Sequence, residues 1–149
     1  MPKVLIVPDL PVEHWPSMDR YALRLVDGLA EEAPGIDVTL ASPISPLTAE
    51  TDESSHAAAG ESDRSEVRRH LARYWSYPRR IGRHRADLVH VLDHSYAHTL
   101  SKLTTVPSLV TVHDLLPVIT LQRKSSGLRD AIRNRLLEWV LDQLRRASG

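Results

Sequence analysis

The sequence predicts an α/β fold, a Rossmann-like doubly wound parallel sheet of about four strands with helices on both faces. Short continuous apolar runs, typical of parallel strands buried on both faces, alternate with helical patterns along the chain. The first strand, helix and second strand follow one another within residues 3–41, which is typical of a βαβ unit with a right-handed crossover. The alternation along the chain predicts the strand order 2-1-3-4.

The composition is that of one ordinary soluble domain, residues 1–149. The chain has 42% hydrophobic and 26% charged residues and no formal net charge, so its overall charge does not favour a nucleic-acid partner. The lack of cysteine excludes disulfides, thiolate nucleophiles and cysteine-based zinc sites. No apolar run approaches the roughly 20 residues that span a bilayer, and the N-terminus does not read as a signal peptide. We therefore expect a cytoplasmic protein, at most peripheral to the inner face of the membrane.

The bounds of the elements in the first βαβ unit follow from its apolar runs and turn residues. An apolar run at residues 3–8 predicts the first strand, and residues 9–16 form a turn. Ser17 is the predicted N-cap of a helix that ends at Ala33-Pro34-Gly35. Residues 36–41 form the second strand. The apolar positions of the helix have helical spacing, and they are Met18, Tyr21, Ala22, Leu25, Val26 and Leu29.

A change of composition separates this unit from the next one. Residues 42–65 are rich in Ser, Ala, Pro, Thr and acids and show no periodicity, so we expect a flexible surface loop there. A long helix at about residues 64–84 follows, in which Pro78 must produce a kink or an interruption. Its predicted inward residues are Val67, Leu71, Tyr74 or Trp75, and Ile81.

The second half of the chain repeats the alternation. Strands are predicted at residues 87–92 and 107–112, with a short helix at 95–103 between them and a loop at 113–127 after them. A last helix at 128–146 carries an inward stripe of Leu128, Ile132, Leu136, Trp139, Val140 and Leu144. Because no strand follows that helix, we expect an open edge of the sheet beside the fourth strand.

The charges are segregated along the chain. No Lys or Arg lies between Arg24 and Arg64, where nine acids fall, and eight arginines then occur from Arg64 to Arg85. The basic stretch is interleaved with apolar residues, as in an amphipathic helix. Two interpretations are open: a site for anionic lipid or a phosphorylated acceptor, and a solvated face that balances the acidic loop.

Topology places the candidate site at the carboxyl ends of the strands, where sheets of this type bind ligands. Three loops meet there, at residues 9–17, 93–96 and 113–114. The first has no glycine, so a dinucleotide fingerprint is not supported. The helix start at Ser17 either offers backbone N–H groups to an anion or is an ordinary capped helix.

The histidines of the other two loops allow several interpretations. His94 and His98 have the spacing of a metal pair, but no carboxylate or thiol completes the set with His90, and we predict no metal. His94 instead hydrogen-bonds a sugar or phosphate together with Ser95, or only caps the short helix. The His113-Asp114 pair follows a strand, whereas the His-Asp motif of HD-type phosphohydrolases lies on helices.

Several segments together resemble family-4 glycosyltransferases of the GT-B fold. They are Lys3-Val-Leu-Ile-Val, Asp19-Arg-Tyr-Ala-x-x-Leu, Asp87-Leu-Val-His and, most specifically, Val110-Thr-Val-His-Asp-Leu-Leu-Pro117. The resemblance implies that His113 approaches the donor sugar and that Asp114 orders its loop. Many relatives have a glycine pair near the donor phosphates and the acceptor where this chain has Pro16, Ser17, Met18 and Asp19, a departure at the substrate-binding loop.

The resemblance also implies an activity for the complete enzyme. Such an enzyme transfers a hexose from a nucleotide sugar to a sugar or lipid-linked acceptor, with retention at the anomeric carbon and without an obligatory metal or other cofactor. The family's C-terminal donor-binding domain has no counterpart within these 149 residues, so we expect the chain alone to be inactive without that partner.

Two other classes remain open. A non-enzymatic Rossmann-like module would self-associate, as a homodimer, through the open sheet edge and the last helix. A metal-dependent hydrolase would need His94, His98 or His113 as metal ligands.

Overall fold

The computed structural model describes residues 1–13, 15–41, 66–113 and 128–147. Its strands are β1 (Lys3–Val7), β2 (Asp37–Leu40), β3 (Leu88–Val91) and β4 (Ser108–Val110). They form one parallel sheet in the order β2-β1-β3-β4, which confirms the predicted fold class and strand order. The predicted loop at 42–65 and residues 114–127 of the predicted last loop lie outside the described residues.

Both faces of the sheet are covered by other parts of the chain. Successive residues of β1 point to opposite faces and so belong to two different cores. Leu5 and Val7 belong to a core that also contains Tyr77, Ile81 and Tyr96. Ile6 belongs to the other core, with residues of the helix α1 (Pro16–Glu32) packed against it. The sheet is therefore sandwiched between α1 and the later helices, as the doubly wound fold requires.

Helix α1 begins earlier than Ser17, so the predicted N-cap is wrong. Its cap residue is Trp15, which makes no side-chain capping bond, and Pro16 is the first helical residue. Proline is favoured at this position because its ring fixes a helical φ and the N–H it lacks would have had no partner. A 3₁₀ turn, Pro11–Glu13, precedes α1. The helix ends before Pro34 as predicted, with the Ala33 N–H donating to the Leu29 carbonyl at 3.0 Å.

Helix α2 (residues 66–81) has two α-helical parts, residues 66–71 and Tyr77–Ile81, separated by a π-helical turn, Ala72–Ser76. This π turn, which ends two residues before Pro78, is the interruption that the sequence predicts. The Tyr77 N–H donates to the Ala72 carbonyl, five residues back, as in a π-helix. The wider turn rotates the residues before it relative to those after it. Ile81 is buried as predicted, and Tyr77 is buried as well, but Val67 and Leu71 are exposed and their predicted inward positions are wrong. Of the alternatives Tyr74 and Trp75, Tyr74 is the inward one: it is half-buried and its ring packs near His98 and Trp139, whereas Trp75 is exposed.

The remaining helices pack together on the side of the sheet that carries Tyr77. A 3₁₀ helix, His94–Lys102, follows β3 closely, and α3 (Leu128–Ala147) packs against it. On α3, Val140 is buried as predicted and so is Gln143, whereas Ile132 is exposed, which corrects its predicted inward position. The predicted Leu136, Trp139 and Leu144 are half-buried, and the side chain of Leu128 lies outside the described residues. No described helix is both long and apolar enough to cross a membrane.

Candidate functional site

The ends of three strands meet at one edge of the sheet. The Leu92 N–H after β3 donates to the Val7 carbonyl of β1 at 3.0 Å, and the Thr111 N–H after β4 donates to the Val91 carbonyl at 2.9 Å. The segments that follow these strands therefore lie side by side. The edge includes the predicted topological switch point, since the chain leaves β1 toward β2 on one side and β3 lies on the other.

His113 is the site residue of the loop after β4. Its Nε2 lies 2.9 Å from the Leu92 carbonyl oxygen, so in the neutral ring Nε2–H is the donor and Nδ1 is left as an acceptor. Its ring also contacts the ring of Tyr21 edge-to-face, with centroids 5.7 Å apart. Two contacts thus orient an exposed histidine between the β3 loop and α1. Asp114, predicted to order this loop, lies outside the described residues.

His94 is buried at the same edge, with only 4% of its surface exposed. Within the described part of the chain, neither ring nitrogen has a hydrogen-bond partner, although Nδ1 lies 3.7 Å from Asp93 Oδ1. The helix cap is Asp93, whose Oδ1 accepts from the Ser95 N–H at 2.7 Å, so the capping interpretation of His94 is wrong. A buried imidazole without such a bond is costly unless a ligand or water completes it.

Asp9 is the site residue that the sequence pattern did not reveal. It follows Pro8 at the end of β1, is 5% exposed, and its Oδ1 has no partner among the described residues. Burial, together with the carboxylates of Asp93 and Glu13, raises the pKa of Asp9 to about 7, against the opposing effect of Arg73. The only signal in the sequence was an acid directly after an apolar strand.

Arg73 of α2 connects the first two loops. Its Nη1 donates to both carboxylate oxygens of Glu13, at 2.7 and 3.0 Å, and its Nη2 donates to the Ser95 carbonyl at 3.1 Å. The guanidinium also lies 4.4 Å from the centre of the Tyr96 ring. Arg73 belongs to the basic stretch at residues 64–85, but its bonds to Glu13 and Ser95 hold two loops of the site together.

The first turn of α1 lies beside this edge. Pro16 and Ser17 are exposed, Met18 packs against the core around Ile6, and the carboxylate of Asp19 contributes to the raised pKa of Asp9. The N–H groups of Met18 and Asp19 donate to the Trp15 carbonyl, at 2.9 and 3.2 Å. Because Pro16 has no N–H, this turn offers fewer donors to an anion than a helix start at Ser17 would.

A cavity of about 280 Å³ opens next to the Arg73–Glu13 pair. Its walls combine aromatic rings with charged and hydrogen-bonding groups, and its lining residues are Glu13, Trp15, Glu66, Arg69, His70, Arg73 and Tyr74. Flat aromatic faces with convergent polar groups are a common lining of small-molecule sites.

His94 and His98, whose spacing is that of a metal pair, lie in different surroundings in the fold. The segment that carries His94 and His98 is a 3₁₀ helix with three residues per turn, so residues four apart point in different directions. His98 lies 3.0 Å through Nε2 from the Arg73 carbonyl and 3.2 Å through Nδ1 from the Ser95 carbonyl. Burial lowers the pKa of His98 to about 4, so the ring is neutral at pH 7 and only one of these two nitrogens donates to a carbonyl oxygen. Among the described residues, no group of three His, Cys, Asp or Glu side chains is arranged to hold a metal ion.

The chain is similar to a known protein family. The model of a family described as Glycosyltransferase Family 4 matches residues 18–148, which is most of the chain. No curated protein and no solved structure shows a significant match to the chain.

Proposed function

The chain belongs to glycosyltransferase family 4, and we propose that it forms one wall of a GT-B cleft in which a hexose passes from a nucleotide sugar to an acceptor. The observation that carries the proposal is that Asp9, His94 and His113 each follow a strand, β1, β3 and β4, at the same carboxyl edge of the sheet. Ligands of open parallel sheets bind at such edges. Because the chain belongs to this family, glycosyl transfer is the reaction we propose for this site.

The proposed role of His113 is to contact the donor sugar. Its bond to the Leu92 carbonyl fixes the tautomer, and its contact with Tyr21 fixes the ring plane, so the imidazole is oriented before substrate binds. Pre-orientation of this kind lowers the entropic cost of reaching the transition state. The charge of the leaving diphosphate would be stabilised by a second, donor-binding domain, with retention at the anomeric carbon and with no metal or other cofactor.

The acceptor is proposed to enter through the cavity beside Arg73. Trp15 and Tyr74 offer faces on which the C–H surface of a sugar ring can pack, while Glu13, Arg69 and His70 offer hydrogen bonds to hydroxyl groups. These groups support the proposal that the acceptor is a sugar or a lipid-linked acceptor.

A substitution at His113 tests this function. In the chain joined to a family-4 donor-binding domain, His113→Ala should lower kcat for release of the nucleoside diphosphate by about 100-fold, the usual cost of losing one oriented catalytic group. His84→Ala, three residues beyond the end of α2 and outside the site, is the matched control and should leave kcat unchanged. Equal activity of the His113 variant and the parent enzyme would refute the assignment.

A second candidate function is self-association. β4 is the last strand of the described sheet, and it carries exposed Leu109, with exposed Val112 just beyond it and exposed Ile132 on α3. Apolar side chains of this kind at an open edge favour pairing with another chain. Multi-angle light scattering of the wild type should then give a dimer that Leu109→Ser converts to a monomer. A wild-type monomer at millimolar concentration would eliminate this candidate.

A further inference from the structure

Two acids follow neighbouring strands at matching positions on the carboxyl edge of the sheet. Val7 of β1 pairs with Val91 of β3 in the parallel register. Asp9 and Asp93 each follow two residues later, and adjacent strands lie about 4.8 Å apart. The pKa of Asp9 is raised first by burial and next by the charge of Asp93, so the two carboxyl groups act on each other as one acidic cluster.

Negative charge exceeds positive charge around Asp9 in the described part of the chain. Asp9 is 5% exposed, and its Oδ1 has no hydrogen-bond partner among the described residues. Three carboxylates and one cation act on it electrostatically, namely Asp93, Glu13, Asp19 and Arg73. The cation is already engaged, because Arg73 donates to both carboxylate oxygens of Glu13 at 2.7 and 3.0 Å. The cluster therefore favours a ligand that brings a positive charge.

His94 points independently to a ligand at the same place. Its imidazole is 4% exposed, and its Nδ1 lies 3.7 Å from Asp93 Oδ1. Neither ring nitrogen has a hydrogen-bond partner among the described residues. A neutral imidazole offers one acceptor nitrogen, so His94 and Asp9 each hold a buried acceptor that lacks a donor in the described chain. Buried acceptors of this kind are normally satisfied, here by a group from outside.

We propose that Asp9 and Asp93, with His94 beside them, bind the ammonium group of an amino-sugar acceptor. An ammonium group brings three N–H donors, no acceptor and a positive charge, whereas a sugar hydroxyl brings a single donor and no charge. Its hydrogen bonds to carboxylates are charge-assisted and are therefore stronger than those of a hydroxyl. The same negative charges repel a phosphorylated acceptor.

The sugar ring of this acceptor belongs in the neighbouring cavity. Glu13 joins the two places, since it lines the cavity and its carboxylate acts on Asp9. Trp15 and Tyr74 of the cavity wall offer aromatic faces to the ring. The inference rests on the proposed function, and it narrows the acceptor from sugars in general to sugars with a primary amine.

Chemical-shift titration of the full chain by NMR tests the proposal. The probes are methyl glucosides with a primary amine at carbon 2, 3 or 6, and methyl glucoside is the neutral reference. At pH 7.5 the best of the amines should bind about tenfold more tightly than methyl glucoside, and N-acetylation of that amine should abolish the gain. Nα-acetyl-lysine amide carries an ammonium group without a sugar and should bind no more tightly than methyl glucoside.

A variant and a pH series assign the binding to Asp9. Asp9→Asn keeps the shape of the side chain but loses its charge, and it should lose about tenfold in affinity for the amine. Asp27→Asn, an exposed acid on α1, is the matched control and should bind as the wild type does. The ammonium group requires the ionised form of Asp9, whose pKa is about 7. The wild-type affinity for the amine should therefore rise about fivefold from pH 6 to pH 7.5, and Asp9→Asn should remove this rise.

Several results would overturn the proposal. They are the absence of any amine that binds more tightly than methyl glucoside, unchanged amine binding by Asp9→Asn, and equally tight binding of Nα-acetyl-lysine amide. Transfer by the chain joined to a donor-binding domain tests the proposed function separately. Transfer to methyl glucoside without preference for an amine would overturn this inference alone, whereas amine-selective binding without any transfer would overturn the proposed function alone.

Discussion

Asp9 follows β1 at a point where the chain is buried, and its carboxyl group lies among other acids. Burial and the carboxylates of Asp93 and Glu13 raise its pKa from 3.8 to about 7. The folded protein thus holds a proton that the unfolded chain releases above about pH 4. The free energy of unfolding contributed by Asp9 must therefore fall as pH rises from about 4 to about 7, the opposite of the usual behaviour of a paired carboxylate.

Asp9→Asn should remove this pH dependence. Between pH 5 and pH 8 the wild type should lose about 2 kcal/mol more of unfolding free energy than the variant, as measured by urea denaturation. Asp27→Asn, an exposed acid on α1, is the control and should behave as the wild type. A variant whose stability falls with pH as steeply as that of the wild type would show that Asp9 does not hold the proton.

Some residues of the site could be predicted from the sequence and others could not. His113 and His94 were predictable because each follows an apolar strand, so topology alone places them at the edge. Asp9 was not, because the charges that act on its carboxyl group come from segments far away in the chain: Asp93 after β3 and Arg73 on α2. The position of Ser17 was misjudged because Pro16 already starts α1 without a side-chain cap.

At the scale of elements, the strands were predictable and the exposed face of α2 was not. Continuous apolar runs define strands β1 and β3 whatever the rest of the chain does. The face of a helix follows from counting at 3.6 residues per turn, and the π turn before Pro78 breaks the count. Val67 and Leu71 consequently point outward although they share a helix with the buried Ile81.

Two substitutions in α2 test which of its sides is buried and which is exposed. Tyr77→Phe should cost about 1–2 kcal/mol of unfolding free energy because the Tyr77 hydroxyl donates to the Pro8 carbonyl at 2.7 Å in the core. Leu71→Ala should change stability by less than about 0.5 kcal/mol, since its side chain is exposed. Chemical denaturation measures both. A loss of about 2 kcal/mol or more for Leu71→Ala would mean that the Leu71 side chain is buried after all.

At the scale of the whole molecule, the zero net charge is the sum of acidic and basic residues that lie in different parts of the chain. The parallel sheet brings the ends of β1, β3 and β4 to one edge, with α1 on one face and α2 on the other. The acidic residues of the loops at that edge meet the basic helix α2 at the Arg73–Glu13 pair, and the proposed sugar substrates bind along this edge and the cavity beside it. Family membership, which covers residues 18–148, gives the edge its proposed chemistry.

The most direct test of the account is transfer measured with and without a donor-binding domain. The chain alone, and the chain supplied with the donor-binding domain of a family-4 glycosyltransferase, would each be incubated with uridine diphosphate glucose or guanosine diphosphate mannose and a sugar acceptor mixture. Release of the nucleoside diphosphate and formation of a glycoside would be followed by mass spectrometry. The account predicts a glycoside only when both domains are present. Turnover by the chain alone, or its absence with both domains, would contradict it.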